Sequence, residues 1–267
     1  MTEIAGRTAL ITGGASGIGL LMGESLLQKG LTRLIVCDLS EANIATASPR
    51  LGPKAEFHRI DVTDTPALLD LAARIDQTGR PVDLLINNAG IVVGRPFAQH
   101  SAADIDRTMA VNATALMQLT RALLPGMIAR GEGHVVNIAS AAGMVSNPGM
   151  SVYCASKWAV IGWSDSLRLE MEAAATGVRV TTVIPYYIDT GMFDGVRSPI
   201  IPILKPQPTV ARIIRAIERD RVFLRMPGIV NILPLVRGLL PRRAFDVVVG
   251  RWFGIYDSMS GFTGRKE

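Results

Sequence analysis

The hydrophobic pattern of the chain alternates between two kinds of segment. Short uncharged runs, such as residues 8–12, predict strands that are covered on both faces. Longer segments, such as residues 65–78, repeat Leu, Ala and Ile every three or four positions and predict helices. The predicted strands are 8–12, 33–37, 56–60, 83–86, 133–138, 178–184 and 222–224. The predicted helices are 17–29, 41–48, 65–78, one or two within 101–130, 152–175 and 209–219, with Gly30 and Pro49 ending the first two.

Strands that alternate with helices favour an α/β fold in which a parallel sheet carries helices on both faces. The expected architecture is a doubly wound parallel sheet, the Rossmann fold. The 267 residues are 48% hydrophobic and 19% charged, which suits one domain over residues 1–267 and argues against disorder. Within it we expect a proline-rich substrate lid at about 188–208 and a basic amphipathic C-terminal extension at about 226–267.

A glycine-rich segment, residues 12–19 (TGGASGIG), joins the first predicted strand to the first helix. Glycines there let the backbone approach a pyrophosphate, which the free N–H groups of a helix start can bind, although a plain tight turn is the alternative. Asp38 ends the second strand 19 residues after Gly19, where a carboxylate can bind both ribose hydroxyls and would repel a 2′-phosphate. The pattern predicts NAD(H) as cofactor in preference to NADP(H).

Polar residues also follow the third and fourth predicted strands. Asp61 and Val62 are expected to meet the adenine, and residues 88–90 the adenosine and ribose side, since ligands bind beyond the carboxyl ends of such strands. For Asn87 a purely structural turn role is equally open. The full set of predicted cofactor contacts is Gly13, Ser16, Gly17, Ile18, Gly19, Asp38, Leu39, Asp61, Val62, Asn88, Ala89, Gly90, Tyr153, Lys157, Pro185, Ile188 and Thr190.

Tyr153 and Lys157 lie four residues apart in a predicted helix and therefore share one face. Ser140 follows the fifth strand and Asn112 lies in an earlier helix. These four residues resemble the catalytic set of the classical short-chain dehydrogenase/reductase family. The glycine-rich segment, Asp61 and residues 87–90 resemble other motifs of the same family in order and spacing, and the resemblance covers about residues 5–195. The resemblance implies that Tyr153 exchanges a proton with the substrate and that Asn112 holds a water in the proton relay.

Elementary electrostatics supports the tyrosine role. A tyrosine has a pKa near 10 and is a poor base at neutral pH. We expect the ammonium of Lys157, at about 4 Å, to lower that pKa by roughly three units. Ser140 is expected to donate a hydrogen bond to the reacting oxygen, where negative charge develops. The family pattern continues as residues 185–190 (PYYIDT), where many members carry Pro-Gly, so two tyrosines are expected to narrow the substrate mouth.

The segments expected to enclose the substrate are apolar, and they predict an apolar alcohol or carbonyl compound; they contain Ala141, Ala142, Met144, Val145, Met150, Tyr186, Met192, Phe193, Ile200, Ile201, Ile203 and Leu204. The C-terminal part resembles the epidermal retinal dehydrogenases and the 17-beta-hydroxysteroid dehydrogenases of lipid droplets in residues 190–195 (TGMFDG), 202–206 (PILKP), 212–217 (RIIRAI), 226–227, 239–241 and 259–262 (MSGF). That branch implies retinoid, steroid or long-chain lipid substrates. The alternatives are a reductase of small aromatic or aliphatic ketones and a non-catalytic NAD-binding protein that docks on membranes.

Charge is concentrated in the tail. From Arg197 onward there are 13 Lys and Arg and 5 Asp and Glu residues, a charge of +8, so residues 1–196 carry −3 of the total +5. Basic residues among apolar ones in 229–256 predict peripheral membrane contact, or alternatively packing on the chain's own domain. No nucleic-acid partner, metal site, signal peptide or transmembrane helix is predicted, and a cytoplasmic location is expected from two isolated cysteines. Family resemblance implies a homodimer or homotetramer that pairs helices at about 105–130 and 152–175.

Overall fold

A computed structural model of the protein describes residues 1–264. Its centre is a sheet of seven parallel strands in the order β3-β2-β1-β4-β5-β6-β7. The strands are β1 (Thr8–Thr12), β2 (Arg33–Asp38), β3 (Ala55–Arg59), β4 (Leu84–Asn87), β5 (Gly133–Ile138), β6 (Val178–Pro185) and β7 (Phe223–Met226). The predicted doubly wound parallel sheet is therefore confirmed. Because the chain builds outward from β1 in one direction and then from β4 in the other, the strand order reverses between β1 and β4.

Helices cover both faces of the sheet. They are α1 (Gly17–Gln28), α2 (Glu41–Leu51), α3 (Thr65–Gln77), α4 (Ala102–Met109), α5 (Ala115–Arg130), α6 (Ser151–Ala173), α7 (Pro206–Glu218), α8 (Leu233–Leu239) and α9 (Arg242–Phe245). A π-helical turn, Ala110–Thr114, connects α4 to α5. Of the one or two helices predicted within 101–130, the structure has two α-helices, which meet at this wider turn.

The strands bury side chains on both faces because a strand directs successive side chains to opposite sides. In β2, Leu34 and Val36 belong to the core that faces α1, α2 and α7, whereas Ile35 and Cys37 belong to the core that faces α3, α5 and α6. This two-sided burial explains why the strand sequences are continuous apolar runs rather than alternating ones.

Two predicted helix boundaries were wrong, and proline explains both. Helix α2 continues through Pro49 to Leu51. The helix tolerates this proline because it lies in the last turn, where it removes only one hydrogen bond. Gly52, with a positive φ of 68°, then ends the helix. Helix α7 begins at Pro206 rather than at 209. Its first turn contains two prolines, and the first turn of a helix needs no N–H partner within the helix.

Candidate active site

The glycine-rich segment forms a tight loop between β1 and α1, at the point where the strand order reverses. Gly13 and Gly17 have positive φ angles of 61° and 54°, which side-chain-bearing residues rarely adopt. The side-chain amide of Asn88 donates to the carbonyl oxygens of Thr12 at 3.0 Å and Gly13 at 2.9 Å. The loop is therefore held from the end of β4, with the N-terminus of α1 directed across it.

Gly19 differs in its role from the other glycines of the loop. A Cβ atom there would lie 2.2 Å from the carbonyl oxygen of Gly13 and 2.7 Å from the amide nitrogen of Asn88. Gly19 is buried and does not line the cavity beyond the loop. It allows the helix to pack closely against the loop, so its contribution to a ligand site is indirect.

Asp38 ends β2 beside this loop and is 8% exposed. One carboxylate oxygen accepts a hydrogen bond from the backbone N–H of Ala15 at 3.0 Å, and the other accepts from Ser40 at 3.0 Å. Each oxygen has capacity for a second donor. The carboxylate is thus fixed in orientation while it can still accept two ligand hydroxyls.

A cavity of about 330 Å³ extends from this loop along the carboxyl ends of the strands. Apart from Gly19, every predicted cofactor residue lines it: Gly13, Ser16, Gly17, Ile18, Asp38, Leu39, Asp61, Val62, Asn88, Ala89, Gly90, Tyr153, Lys157, Pro185, Ile188 and Thr190. Asn87 points away, since its amide is buried and donates to Thr120 and Asn137. The side chain of Asn87 therefore has a structural role, although Asn87 ends β4 instead of lying in a turn.

Ser140, Tyr153 and Lys157 meet at the far end of this cavity. Tyr153 and Lys157 lie on the buried face of α6, 5% and 4% exposed, and Ser140 follows β5. The Ser140 hydroxyl accepts a hydrogen bond from the backbone N–H of Ala142 at 3.1 Å and lies beside the Tyr153 hydroxyl. The Nζ atom of Lys157 donates to the carbonyl oxygen of Ile138 at 3.0 Å and lies 5.7 Å from the centre of the Tyr153 ring.

The protonation of this group differs from the sequence-based expectation. The pKa of Tyr153 is raised rather than lowered, because burial of the hydroxyl is the largest effect, and the polar Ser140 hydroxyl beside it opposes that rise only in part. Burial also lowers the pKa of Lys157 to about 8. Both shifts disfavour charge in a site with little solvent, and sequence spacing carries no information on that burial.

Asn112 lies behind the cavity rather than in its lining. Its Oδ1 atom accepts from the backbone N–H of Ile91 at 2.8 Å, and its Nδ2 atom donates to the carbonyl oxygen of Ile91 and to Ser156. The side chain lies in the π-helical turn between α4 and α5 and is completely buried. Its amide therefore fixes the loop after β4 beside Lys157, and the predicted water relay stays a prediction.

A second cavity, of about 250 Å³, adjoins the first and shares Ser140, Tyr186 and Phe193 with it. Its wall is mainly apolar, as predicted. From the predicted substrate residues it contains Ala141, Ala142, Val145, Met150, Tyr186, Phe193 and Ile201. Met192 lines the first cavity instead, and Ile200 and Ile203 are exposed. The polar residues of the wall are Ser140, Asn147, Tyr186 and Tyr187.

The C-terminal segment forms the outer wall of this second cavity. Leu233 and Val236 of α8 line it, as do Val249 and Ile255 further along, and Phe245 is 2% exposed in the same apolar cluster. The inner face of the C-terminal segment therefore packs on the chain's own domain, which is the alternative to membrane contact. Within residues 1–264, no helix combines the length and the apolar character that a membrane span requires.

Comparison with known proteins places this arrangement in a family. The sequence pattern described as short chain dehydrogenase matches residues 7–200. The chain is a member of the short-chain dehydrogenase family. It is 33% identical to mouse epidermal retinol dehydrogenase 2 over 99% of this chain and 88% of that protein. It is 32% identical to zebrafish retinol dehydrogenase 10-A over 99% and 87% of the two chains.

Solved structures of other short-chain dehydrogenases share the fold. A Burkholderia phymatum enzyme in complex with NAD has a TM-score of 0.80 at 27% identity, covering 94% of this chain and 97% of that chain. A Burkholderia cenocepacia enzyme in complex with NADP also has a TM-score of 0.80, at 26% identity and with 93% and 99% covered. The predicted family and its retinol dehydrogenase branch are confirmed.

Several residues of this short-chain dehydrogenase site were missed by sequence reasoning. Arg107 and Val111, one helical turn apart, line the first cavity, as do Ser40 and Asn43. The spacing of four residues between Arg107 and Val111, which puts both on one helix face, was a usable signal. Asn147 and the wall from the C-terminal segment were also missed, and no local pattern identifies them because they reach the cavity only through tertiary packing.

Proposed function

We propose that the protein is an NAD(H)-dependent oxidoreductase that interconverts an apolar alcohol and its ketone or aldehyde. The observation that carries the proposal is the position of Ser140, with Tyr153 beside it, at the junction of the first cavity, which Asp38 and the glycine-rich loop line, and the second, apolar one. Similarity to retinol dehydrogenases supports retinoid-like, steroid-like or long-chain lipid substrates.

The residues of the first cavity fit a dinucleotide. The loop exposes backbone at Gly13 and Gly17 next to a helix N-terminus, and Asp38 has acceptor capacity on both oxygens. Pro185, Ile188 and Thr190 would surround the nicotinamide end, close to Tyr153 and Lys157. When bound, the cofactor would supply the acceptor or donor of the hydride.

The chain's own residues would move the proton. In reduction, Tyr153 donates its hydroxyl proton to the carbonyl oxygen, and its raised pKa keeps that proton in place at neutral pH. In oxidation, the ionised form of Tyr153 accepts the alcohol proton. The Ser140 hydroxyl hydrogen bonds to the same oxygen and stabilises its developing negative charge. Lys157 would hold the ribose of the bound cofactor, and its ammonium group favours ionised Tyr153.

A panel of alcohols and carbonyl compounds tests this proposal. Purified protein is given retinol, long-chain alcohols, hydroxysteroids and short alcohols, each with NAD⁺ and with NADP⁺, while NADH or NADPH absorbance is followed. We expect turnover of bulky apolar alcohols with NAD⁺. Turnover restricted to small aromatic or aliphatic ketones would favour the small-ketone reductase, and tight NADH binding without any turnover would favour the non-catalytic alternative.

The carboxylate of Asp38 is expected to set the cofactor preference. In the Asp38→Asn variant, the preference for NAD⁺ over NADP⁺, measured as the ratio of kcat/KM values, should fall by about tenfold or more, because a fixed negative charge no longer faces the 2′-phosphate. Asp61→Asn is the matched control, since it removes a carboxylate from the same cavity at the adenine side. An equal change in both variants would contradict a local effect of Asp38.

Self-association belongs to the same proposal. The exposed face of α6 presents mostly small residues, Ser151, Ala155 and Gly162, beside Trp158 and Leu169. Small side chains let two helices approach closely, which supports pairing of α5 and α6 across a two-fold axis in a homodimer or homotetramer. The free, buried cysteines Cys37 and Cys154 support the proposed cytoplasmic location.

Peripheral membrane contact is supported by the outer face of the C-terminal segment. Ile232, Leu235, Leu239 and Trp252 are at least half exposed there, and Arg243 and Arg251 are exposed in the same segment. Ile232 also lines the second cavity, so the exposed apolar surface is continuous with the wall of that cavity. Apolar side chains with nearby cations fit an anionic lipid surface, from which an apolar substrate could enter.

Two charged substitutions on that face test the contact. The Leu235→Glu/Leu239→Glu variant should bind vesicles of phosphatidylcholine and phosphatidylserine at least about tenfold more weakly than the wild type in a sedimentation assay. Phe97→Glu, at an exposed apolar residue outside the segment, should bind as the wild type does. Wild-type protein that remains in the supernatant at every lipid concentration would refute the membrane proposal.

A further inference from the structure

The loop of residues 189–203, between β6 and α7, forms a lid over the junction of the two cavities. Its ends meet where the backbone N–H of Asp189 donates to the carbonyl oxygen of Leu204 at 3.0 Å. Phe193 of the lid lines both cavities. Its ring packs edge-on against the ring of Tyr153, with ring centres 5.9 Å apart. Phe193 is therefore an aromatic cover beside the residue that is proposed to exchange the proton.

Residues 258–264 form a strap that is bonded to the lid. The backbone N–H of Arg197 donates to the carbonyl oxygen of Ser258 at 3.0 Å, and the backbone N–H of Thr263 donates to the carbonyl oxygen of Asp194 at 2.9 Å. The hydroxyl of Thr263 donates to the same oxygen at 3.2 Å. Asp194 directly follows the aromatic cover in the chain, so the strap holds the lid backbone at that place.

Two glycines of the lid differ in their relation to the strap. Gly195 has a φ of 82°, and a Cβ atom there would overlap the carbonyl oxygen of Gly261 in the strap. Gly191 has a similar φ of 85°, but a Cβ atom there would have no heavy atom within 4 Å. Both positions favour glycine because of their dihedral angles. Only Gly195 is also needed for the close approach of the two backbones.

The strap is anchored in turn on the loop that follows β4. The ring of Phe262 lies against the backbone of Gly94, where a Cβ atom would overlap the ring, and Met259 reaches the same place. Met259 and Phe193 both pack against the buried cluster that contains Tyr153. Phe262 lines neither cavity. It can therefore act on the active site only through the strap and the loop on which it lies.

We propose that the strap is a positioning element of the active site, which holds the lid so that Phe193 covers the alcohol beside Tyr153. Of the ties between the lid and the rest of the chain, those of the strap lie nearest to Phe193. Asp194 follows it directly, whereas Ser198, which bonds to Tyr186 at 3.0 Å, lies further along the lid. A displacement of about 1 Å at a reacting group can cost about 100-fold in rate. The inference rests on the proposed alcohol oxidation and adds the element that closes its site.

The two lid glycines provide a matched test. Gly195→Ala pushes the strap away from the lid, whereas Gly191→Ala adds similar backbone strain without touching the strap. With an alcohol that the wild type oxidises, KM should rise about tenfold in Gly195→Ala and at most about twofold in Gly191→Ala, because a displaced cover no longer positions the alcohol. KM does not depend on the fraction of folded protein, so partial misfolding does not imitate this result. Equal rises in both variants, or a rise in neither, would overturn the inference.

Phe262→Ala tests the strap from its other end and without turnover. Hydrogen exchange of lid residues 191–198, followed by mass spectrometry, should become about tenfold faster, because the lid then opens more often. KM for the alcohol should rise with it. Phe97→Ala, which removes an exposed ring from the same loop after β4, should change neither quantity.

Two results with Phe262→Ala would overturn the inference. Lid exchange at the wild-type rate would show that the strap does not hold the lid, whether or not the protein oxidises any alcohol. Faster exchange with an unchanged KM would show that the strap holds the lid without positioning the alcohol. A wild type that oxidises no alcohol would contradict the proposed oxidation, and with it the catalytic role of the strap, even where the exchange rates show that the strap holds the lid.

Discussion

Replacing Tyr153 with phenylalanine is expected to lower the turnover number by about 10²–10⁴, the range that a positioned acid or base contributes. The substitution removes the hydroxyl that exchanges the substrate proton and retains the ring that packs on Phe193. NADH binding should change little, because the loop after β1 and Asp38 are untouched. The measurement combines steady-state rates on an active alcohol with a fluorescence titration of NADH.

Tyr256→Phe is the matched control for this prediction. Tyr256 donates to Asp246 at 2.6 Å and lines neither of the two cavities that meet at Ser140. This control should keep wild-type turnover. Turnover in Tyr153→Phe within a few-fold of the wild type would remove the tyrosine from the mechanism, whatever the control does.

Gly19→Ala is expected to weaken NADH binding by about 100-fold. The new methyl group would lie 2.2 Å from the carbonyl oxygen of Gly13, so the loop must shift away from α1. Crowding of this kind costs about 1–3 kcal/mol, and each 1.4 kcal/mol corresponds to a factor of ten in affinity. Isothermal titration calorimetry with NADH measures the loss directly.

Gly238→Ala serves as the control for Gly19→Ala. Gly238 lies in α8, and a Cβ atom there would have no heavy atom within 4 Å. NADH affinity should therefore equal that of the wild type. Wild-type affinity in Gly19→Ala as well would show that the close approach of α1 to the loop is not needed for binding.

The sequence predicted those features that local chemistry determines. The strands were placed within one to two residues of their bounds because burial on both faces makes them continuous apolar runs. The loop glycines, Asp38, Ser140, Tyr153 and Lys157 were predicted as site residues because dinucleotide binding and proton exchange would require those residue types at those places in the fold. The fold brings Asp38, Ser140, Tyr153 and Lys157 together in the wall of the first cavity, and Ser140 also lines the second.

Features that depend on tertiary burial were beyond sequence reasoning. The raised pKa of Tyr153 follows from desolvation, whereas the spacing of Tyr153 and Lys157 suggested only their mutual attraction. The buried hydrogen bonds of the Asn147 amide depend on Tyr187 and on Ser258, which is 111 residues away along the chain. The inner and outer faces of α8 are both apolar, so its pattern could not indicate which side encloses the cavity.

The transfer of a labelled hydrogen tests the central claim most directly. An apolar alcohol that carries deuterium on its carbinol carbon is incubated with the wild-type protein and NAD⁺, and the nicotinamide product is analysed by mass spectrometry. Direct transfer between the two cavities predicts NADH that contains one deuterium, formed in equal amount to the ketone or aldehyde. Carbonyl product without deuterium in NADH, or no NADH with any apolar alcohol of the panel, would contradict the account.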